Sequence, residues 1–366
     1  MKLKTGIANL PLHSGKAPKW LFKRMVKLAR NINEIIILEH GKDDLLKKLS
    51  DPYWFQAYAC VLGFDFHSSG CTTVTMGALK EAMNPEEHGI FVTGGKGKFS
   101  RKTPEEIEKI GEEFSLNDKK IEKLRHASII TAKVDNCLLQ DNYNLYHHSF
   151  VFDKKGRWIT IQQGMSKNNW ARRYHWLSDD VRSFVEEPHS GICCDYKHEN
   201  TLDMTSKKSR ETRKTSLDLI RDNPSHLRKY FLPEKQATLN LFTDAKEKIL
   251  NLPSRHDIKF SERINFQTLQ RAYEIQPENY ENLLSVKGVG PATVRALALI
   301  SELVYGAEPS WQDPVRYSFA HGGKDGIPYP VNKKRYDRSI MTLRDAIEQA
   351  KIGRKEKINA LRRLNA

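Results

Sequence analysis

The stretch that most constrains this chain covers residues 283–293, Leu-Leu-Ser-Val-Lys-Gly-Val-Gly-Pro-Ala-Thr. Gly288 and Gly290 flank one apolar residue between two segments with helical periodicity. Glycine adopts backbone angles that other residues resist, so this spacing predicts a tight turn between two helices. Pro291 suits the first position of the second helix, whose free first-turn amides would attract a phosphate. The motif therefore predicts a contact with the DNA backbone, made by Lys287, Gly288, Gly290 and Thr293.

The charge balance of the chain also favours a polyanionic partner. Its 366 residues include 60 Lys and Arg against 45 Asp and Glu, a formal net charge of +15. A basic surface gains affinity for DNA by releasing the counterions of phosphates. The densest apolar run, residues 33–38, is far too short to cross a bilayer, so no membrane partner is expected. The N-terminus lacks the apolar core of a secretory signal, and five cysteines without an even framework indicate a reducing, cytoplasmic compartment.

Periodicity divides the chain into a mixed N-terminal part and a helical C-terminal part. Helices are predicted over residues 20–39 and from Thr103 onward. Residues 148–163 are predicted to form a β-hairpin, because two runs of β-formers flank a turn sequence. The fold class is therefore α+β, with a mixed α/β N-terminal domain that contains a β-hairpin sheet and an all-α helix-hairpin-helix C-terminal domain. The predicted divisions are residues 1–196, a basic polar connection over 197–232, and the helical domain over 233–366.

The N-terminal part also concentrates polar residues that packing alone explains poorly. Mg²⁺ prefers one or two carboxylates together with waters and phosphate oxygens, and Asp135 and Asp141 are its predicted ligands. Histidines titrate near neutrality and could move protons in phosphodiester cleavage. The catalytic candidates are Asp135, Asp141, His147, His148, His67 and His175. Lysine and arginine would clamp phosphates. The candidates for that role are Lys96, Lys98, Arg172 and Arg173.

Other interpretations of these residues stay open. The start of the hairpin at His147-His148 resembles the His-x-Lys signature of the phospholipase D group, in which a histidine is the nucleophile, although Phe150 stands where that signature has lysine. Alternatively no chemistry occurs, and the polar and aromatic side chains stack on and recognise an exposed nucleotide. The histidines could also be ordinary surface residues, and residues 94–98 are more typical of a flexible basic loop than of a Walker motif.

The segment at residues 283–293 resembles the helix-hairpin-helix family, and specifically its glycosylase branch, the superfamily that includes endonuclease III. Bifunctional members of that branch carry a lysine two residues after the Gly-x-Gly, where this chain has Ala292. The resemblance also implies a catalytic aspartate beyond the hairpin, and Asp313 occupies a similar place. Base excision with Asp313 is therefore an alternative activity, whereas Ala292 argues against lyase chemistry. The basic final segment, residues 333–366, is expected to reinforce the contact with phosphates.

Short sequence motifs, in a fixed order along nearly the whole chain, indicate a second resemblance. They are residues 10–18, 63–70, 162–165, 171–176 and 321–326. These motifs resemble those of one prokaryotic family, which is catalogued as the domain of unknown function numbered seven hundred and sixty-three. The resemblance implies a single evolutionary unit associated with DNA-damage processing, without catalytic residues to transfer. We therefore expect a DNA-repair endonuclease that recognises a damaged or exposed base in duplex DNA and cleaves the backbone. The alternatives are a glycosylase that uses Asp313 and a non-enzymatic DNA-binding protein.

Overall fold

A computed structural model describes most of the chain. The described residues are 17–63, 70–167, 170–194, 197–227, 265–315 and 333–364. The candidate His67 lies outside the described residues.

The described residues contain helices and strands in the order predicted for a mixed fold. The helices are α1 (Lys19–His40), α2 (Lys42–Ser50), α3 (Pro52–Leu62), α4 (Gly70–Ala82), α5 (Pro85–His88), α6 (Thr103–Glu113), α7 (Asp118–Cys137), α8 (Arg210–Arg221), α9 (Phe266–Ile275), α10 (Tyr280–Ser285), α11 (Pro291–Tyr305), α12 (Lys333–Gln349) and α13 (Arg354–Leu364). The strands are β1 (Ile90–Lys96), β2 (Leu139–Gln140), β3 (Asn144–Asp153), β4 (Trp158–Met165), β5 (Ala171–Leu177), β6 (Gly191–Cys193) and β7 (Leu202–Asp203). The predicted α+β class is confirmed.

One antiparallel sheet forms the centre of the protein, with strand order β1-β3-β4-β5-β6. The predicted hairpin is β3 and β4, in which Phe152 pairs with Trp158. A second, two-stranded sheet joins β2 to β7. The helix predicted over 20–39 is α1. It is capped by Gly41, which has a positive φ of 86° and whose N–H donates to the carbonyl oxygen of Ile37. None of the described helices combines the length and apolar composition needed to cross a membrane.

Successive side chains of a strand point to opposite faces, and both faces of this sheet are covered by helices. On one face, Phe150 and Trp176 pack in a core with α7 and with α9, α10 and α11. On the other face, Val151 and Ile161 pack in a second core with α1, α2, α3 and α4. The helices α12 and α13 belong to this second core through Leu343 and other buried residues. The sheet is therefore the middle layer between two helical layers.

This packing corrects the predicted division of the C-terminal half. The helices within residues 233–366 do not form one body, because α9–α11 and α12–α13 pack on opposite faces of the sheet. Residues 197–232 are not only a basic polar connection, because they contain β7 and the amphipathic helix α8. Leu219 and Ile220 of α8 are buried, while its lysine and arginine residues gave the segment the composition of an exposed loop. Side-chain periodicity shows which face is buried but not the partner it is buried against.

Candidate active site

Three neighbouring strands each carry two adjacent polar residues. The pairs are His147-His148 on β3, Gln162-Gln163 on β4 and Arg172-Arg173 on β5. Because side chains alternate along a strand, one member of each pair belongs to each face of the sheet. The register confirms this alternation, since His148 pairs with Gln162 and His147 pairs with Gln163. The candidate residues are therefore not brought together in one site, and the polar residues form separate buried clusters.

The first cluster is centred on Asp135 of α7, which is fully buried. Its Oδ2 accepts hydrogen bonds from Gln162 Nε2 at 2.5 Å and from Trp176 Nε1 at 3.0 Å. Its Oδ1 lies 2.5 Å from Nε2 of His189, which follows β5 in a loop. Burial raises the pKa of Asp135, and the nearby His189 opposes that rise. The carboxylate thus orients the imidazole of His189 through its Nε2 atom.

His148 extends this cluster away from His189. Its Nδ1 lies 2.8 Å from Gln162 Oε1, which can only accept, so Nδ1 donates. Its Nε2 lies 2.8 Å from the Ser128 hydroxyl, which then donates. Burial lowers the pKa of His148 to about 4, so the ring is neutral near pH 7. With both nitrogens engaged and the ring buried, His148 supports Asp135 through Gln162 and does not border the pocket.

His189 borders a pocket of about 250 Å³. The polar residues that line it include Glu187, His189, Asp203, Thr205, Gln312 and Asp313. Pockets for drug-sized ligands usually enclose roughly 300–1,000 Å³, so this one suits a small group such as one base or one sugar-phosphate. No protein group in the described part of the chain hydrogen-bonds Nδ1 of His189. That nitrogen is the one available to a ligand.

Asp203 is the titratable residue of the pocket lining whose pKa is shifted. Its side chain accepts hydrogen bonds from the amide and hydroxyl of Thr205, at 2.8 and 2.6 Å. Burial raises the pKa of Asp203, although Thr205 and His189 act against the rise. The strand β7 holds Asp203 in place through a pairing with Ser310. Burial therefore favours the neutral, proton-donating form of this carboxyl group.

Asp141 and Asp313 share the buried guanidinium of Arg172. Arg172 Nη1 donates to Asp141 Oδ2 and to Asp313 Oδ1, both at 2.9 Å, and Nη2 donates to Asp313 Oδ2 at 2.7 Å. Asp141 also accepts from the Tyr174 hydroxyl at 2.7 Å, and Asp313 from the His198 amide at 2.8 Å. Burial lowers the pKa of Arg172, but the two carboxylates outweigh it and hold that pKa well above its ordinary value. An ion pair with Arg172 therefore fixes Asp313 at the edge of the pocket.

The two predicted magnesium ligands do not fit that role. Asp135 and Asp141 lie in different hydrogen-bond networks, and their oxygens accept from N–H and O–H donors that a cation would have to displace. Within the described ranges, three His, Cys, Asp or Glu ligand atoms come together at Glu34, Glu87 and His88. There Arg30 bonds the carboxylates of Glu34 and Glu87, so an ion pair accounts for the group.

A second polar cluster lies on the other face of the sheet. Arg173 Nε donates to His175 Nε2 at 2.7 Å, and Arg173 Nη1 donates to Gln56 Oε1 at 3.1 Å. His147 Nε2 lies 2.9 Å from the Ser149 hydroxyl. Burial lowers the pKa of His147 to about 3 and that of His175 well below its ordinary value. These side chains are buried, and the structure does not bring them to the His189 pocket.

The predicted phosphate clamps differ in exposure. Arg172 and Arg173 are fully buried and hold internal acceptors, because β5 is a central strand covered on both faces. As surface clamps they are wrong. Lys96 and Lys98 are exposed at the end of β1, with Lys96 Nζ 5.6 Å from the centre of the Tyr146 ring. These two lysines remain candidates for a phosphate contact.

The turn at residues 286–290 joins α10 to α11. Gly288 has a φ of 99°, and a Cβ there would meet Thr268 Oγ1 at 2.6 Å. Gly290 has an extended backbone, and no atom lies closer than 4.0 Å to a Cβ built on it. Lys287 is exposed, whereas Thr293 is buried and its side chain cannot make the predicted contact.

Contacts tie this turn to the rest of the site. Lys133 of α7 donates through Nζ to the carbonyl oxygens of Leu284 and Val286. Gln140 Nε2 donates to Pro291 O at 2.8 Å, and its strand β2 pairs with β7, the strand that carries Asp203. The helix α7 therefore contacts the turn through Lys133 and the pocket histidine through Asp135.

Sequence reasoning missed His189 and Asp203 as site residues. His189 lies in a loop and Asp203 on a two-residue strand, so no periodic pattern marks either one.

The fold and the site together define an α+β protein with a helix-covered antiparallel sheet and a buried Asp–His pair that opens on a small pocket. The model of the family described as Protein of unknown function (DUF763) matches residues 6–331, and the chain belongs to this family. No curated protein and no solved structure matches the chain.

Proposed function

We propose that this protein is a DNA-repair endonuclease that docks on duplex DNA through the 286–290 turn and hydrolyses a phosphodiester bond at the His189 pocket. The observation that carries the proposal is the Asp135–His189 pair, whose imidazole borders a small pocket. Strands β2 and β7 connect the pocket to a glycine turn whose geometry suits a phosphate.

The docking role is supported by the exposed surface of the turn. Gly288 holds the left-handed conformation that the tight turn needs, and Gly290 leaves open space where a phosphate can approach. No side chain caps the first turn of α11, so its N–H groups and helix dipole are available to an anion. These features support the proposed helix-hairpin-helix. Such a contact reads no sequence, so damage recognition falls to the pocket.

The pocket offers a base and an acid, as hydrolysis requires. With its Nε2–H held by Asp135, His189 would accept a proton from the attacking water at Nδ1. Asp135 would stabilise the imidazolium that forms. Asp203, whose neutral form is favoured by burial, would protonate the leaving oxygen. The two groups thus take opposite roles because their environments differ.

Dependence on a divalent cation, expected to be Mg²⁺, is part of this proposal. A phosphate that enters the pocket meets the carboxylates of Glu187 and Asp313, and a cation would offset the repulsion between like charges. Asp135 and Asp141 are not assigned as its ligands, because protein donors occupy their oxygens.

The acidic lining favours base excision as a second candidate activity. Cleavage of an N-glycosidic bond develops positive charge on the sugar, as glycoside hydrolysis does, and carboxylates stabilise such a charge. Asp313, the residue implied by the glycosylase resemblance, lies at the pocket edge in an ion pair with Arg172. Its oxygens already accept from Arg172 and two backbone amides, so it would act by its charge and not as a free base.

The test uses end-labelled duplexes that carry uracil, hypoxanthine, 8-oxoguanine, an abasic site or a mismatch, separated on denaturing gels. The proteins are the wild type, His189→Asn, and His40→Asn as a matched control at an exposed helix end. Each reaction is run with MgCl₂ and with EDTA, and half of each product is treated with alkali.

A nick without alkali that disappears in His189→Asn but not in His40→Asn is the expected result, with loss in EDTA as the sign of cation dependence. Strand breaks that appear only after alkali treatment would show base excision, and the glycosylase activity would then replace the proposed endonuclease activity. DNA binding without any cleavage product would mean that the protein binds DNA without acting on it as an enzyme. Cleavage that His189→Asn leaves at the wild-type rate would overturn the site assignment.

A further inference from the structure

A groove separate from the His189 pocket has mainly basic residues among the charged ones of its lining, whereas the pocket is lined by acidic ones. It encloses about 820 Å³ along the first half of α7 and the β3–β4 turn. Four lysines line it, against Glu122 as the acidic residue of the lining. The lysines are Lys119, Lys120, Lys123 and Lys155.

The lysines are placed by the two elements that form the walls of the groove. Lys119 and Lys123 are exposed and lie four residues apart on α7, so they project from one side of the helix. Lys120 donates through Nζ to the carbonyl oxygen of Lys154 at 2.8 Å, which joins the helix to the turn. The turn approaches closely, because a Cβ on Gly156 would lie 3.4 Å from the Lys120 side chain.

The floor of this groove is apolar and aromatic. Trp158 and Phe184 line it, with nearly parallel rings whose centres are 6.0 Å apart. Trp158 also stacks on Phe150 at 5.4 Å, which fixes the rings to the core of the protein. Leu124 completes the floor, and Phe184 keeps part of its surface exposed. Lysines around an aromatic floor are typical of sites for single-stranded nucleic acid.

The groove is connected to the 286–290 turn through α7. His126 of the groove lies 2.7 Å from Glu281 of α10, and Lys133 near the far end of α7 contacts the turn itself. An α-helix rises about 1.5 Å per residue, so Lys119 and Lys133 lie roughly 20 Å apart along α7. That length corresponds to roughly six base pairs of B-DNA.

We propose that this lysine groove binds an unpaired stretch of the DNA strand whose duplex portion docks on the turn. The inference rests on the proposed function and adds a substrate class to it, namely duplexes with a single-stranded flank. An acidic polypeptide would satisfy the lysines but would leave the aromatic floor without a matching group. Bases on a phosphate backbone satisfy both features.

The first experiment measures binding of a labelled oligothymidylate of about 12 nucleotides, within the span of known single-strand sites, by fluorescence anisotropy over a salt series. The double variant Lys119→Ala/Lys123→Ala should bind about tenfold more weakly. Its log–log salt slope should fall by about 1.4, because two phosphate contacts on a single strand are lost. The matched control is Lys23→Ala/Lys27→Ala, which removes two exposed lysines with the same spacing from α1.

The second experiment uses Phe184→Leu, which keeps an apolar side chain but removes the ring. It should weaken oligothymidylate binding about fivefold with an unchanged thermal midpoint, because base stacking is lost. Unlabelled polyglutamate serves as the competitor for a purely charge-based site. Equal weakening in both double lysine variants would overturn the groove, as would displacement by polyglutamate together with normal binding by Phe184→Leu.

A turn variant separates this inference from the proposed function. Gly290→Ala should weaken docking of blunt duplex and leave oligothymidylate binding unchanged, since the groove and the turn are distinct surfaces. Loss of blunt-duplex binding with retained single-strand binding supports the groove independently of cleavage. If Gly290→Ala abolishes oligothymidylate binding, the single strand occupies the turn and the groove proposal fails.

Discussion

Among single residues, Asp135 is the point at which the contacts of the candidate site converge. A buried carboxylate keeps its charge only where donors replace water, and Asp135 has three N–H donors. With Nε2–H donating to the carboxylate, Nδ1 of His189 is left as the acceptor of a ring that borders the pocket. The function proposed for the pocket therefore depends on a residue that the pocket itself does not expose.

Replacing Asp135 by Asn should separate orientation from binding. Asn offers one acceptor oxygen and one donor amide, so it cannot accept from both Gln162 and His189, and the imidazole should adopt the other tautomer. We expect single-turnover cleavage to fall on the order of a hundredfold or more, with duplex affinity nearly unchanged. Asp153→Asn is the control, because Asp153 is also buried in the sheet but pairs with Arg157. Normal cleavage by a folded Asp135→Asn protein would remove His189 from proton transfer.

The buried histidines predict how stability depends on pH. Burial lowers the pKa of His147 to about 3 and of His148 to about 4, and lowers that of His175 as well. In the unfolded chain each would titrate near 6.5, so below that pH the unfolded state binds more protons. The stabilisation is fully present above pH 6.5 and is lost as the pH falls towards 4. At pH 5 each buried neutral histidine should lower the free energy of unfolding by roughly 2 kcal/mol relative to its value at pH 7.

Urea unfolding at pH 7 and pH 5 measures this dependence. His148→Gln should reduce the difference between the two pH values, because Gln does not titrate. The exposed His40→Gln should leave the difference as in the wild type. A free energy of unfolding that stays constant from pH 7 to pH 5 would contradict the buried, neutral histidines.

The sequence located several of these residues but not their arrangement. It selected Asp135, His148 and Asp313 as candidates, and the structure brings all three close to the His189 pocket or its supporting network. It treated Arg172 and Arg173 as surface clamps, because arginine is rarely buried unless it is paired. Their partners are far away in sequence, so no local pattern could reveal that pairing.

Among the secondary-structure elements, the 286–290 turn gives the sharpest contrast between two similar residues. At Gly288, Ala would take a left-handed φ of 99° and also meet Thr268. We expect Gly288→Ala to lower the free energy of unfolding by about 2 kcal/mol. At Gly290 the backbone is extended and the space is open, so Gly290→Ala should cost less than about 1 kcal/mol.

The same two variants should rank differently in DNA binding. Gly290→Ala places a methyl group where the phosphate would approach, and we expect duplex affinity to fall about tenfold for all sequences alike. Thermal unfolding and anisotropy on unrelated duplexes measure the two effects separately. Wild-type affinity in Gly290→Ala would argue against docking at this turn, and a loss confined to one DNA sequence would argue against a backbone contact.

Elements with strong local signals were predicted well, and those defined by distant partners were not. The end of α1 at Gly41, the start of α6 at Thr103 and the β3–β4 hairpin all follow from local sequence. Strand β5 was not recognised, because its polar residues are buried by contacts across the sheet and not exposed on one side. Helix α8 was hidden by its basic composition, although Leu219 and Ile220 mark its buried face.

For the molecule as a whole, the central sheet joins two cores that would otherwise be separate. Alternate residues of β3 and β4 belong to different cores. Unfolding of the sheet would therefore expose both cores to solvent. The basic helices α12 and α13 are part of the second core and lie on the face of the sheet opposite to α10 and α11. They therefore have a structural role, and their expected contact with phosphates stays a prediction.

The last prediction tests this coupling through the C-terminal helices. Leu343 of α12 is fully buried against the second core, and Leu343→Ala should lower the free energy of unfolding by about 2–5 kcal/mol. Arg344→Ala removes an exposed charge on the same helix and is the control. Hydrogen exchange of slow amides in α3 and in α7 reports the two cores separately.

If the shared sheet makes unfolding cooperative, Leu343→Ala should reduce protection in α3 and α7 by the same free energy, although Leu343 contacts neither α7 nor its core. Arg344→Ala should leave both unchanged. Reduced protection in α3 alone would mean that the two layers unfold independently. In that case the α7 layer, with the His189 pocket and the docking turn, would stay folded without the C-terminal helices.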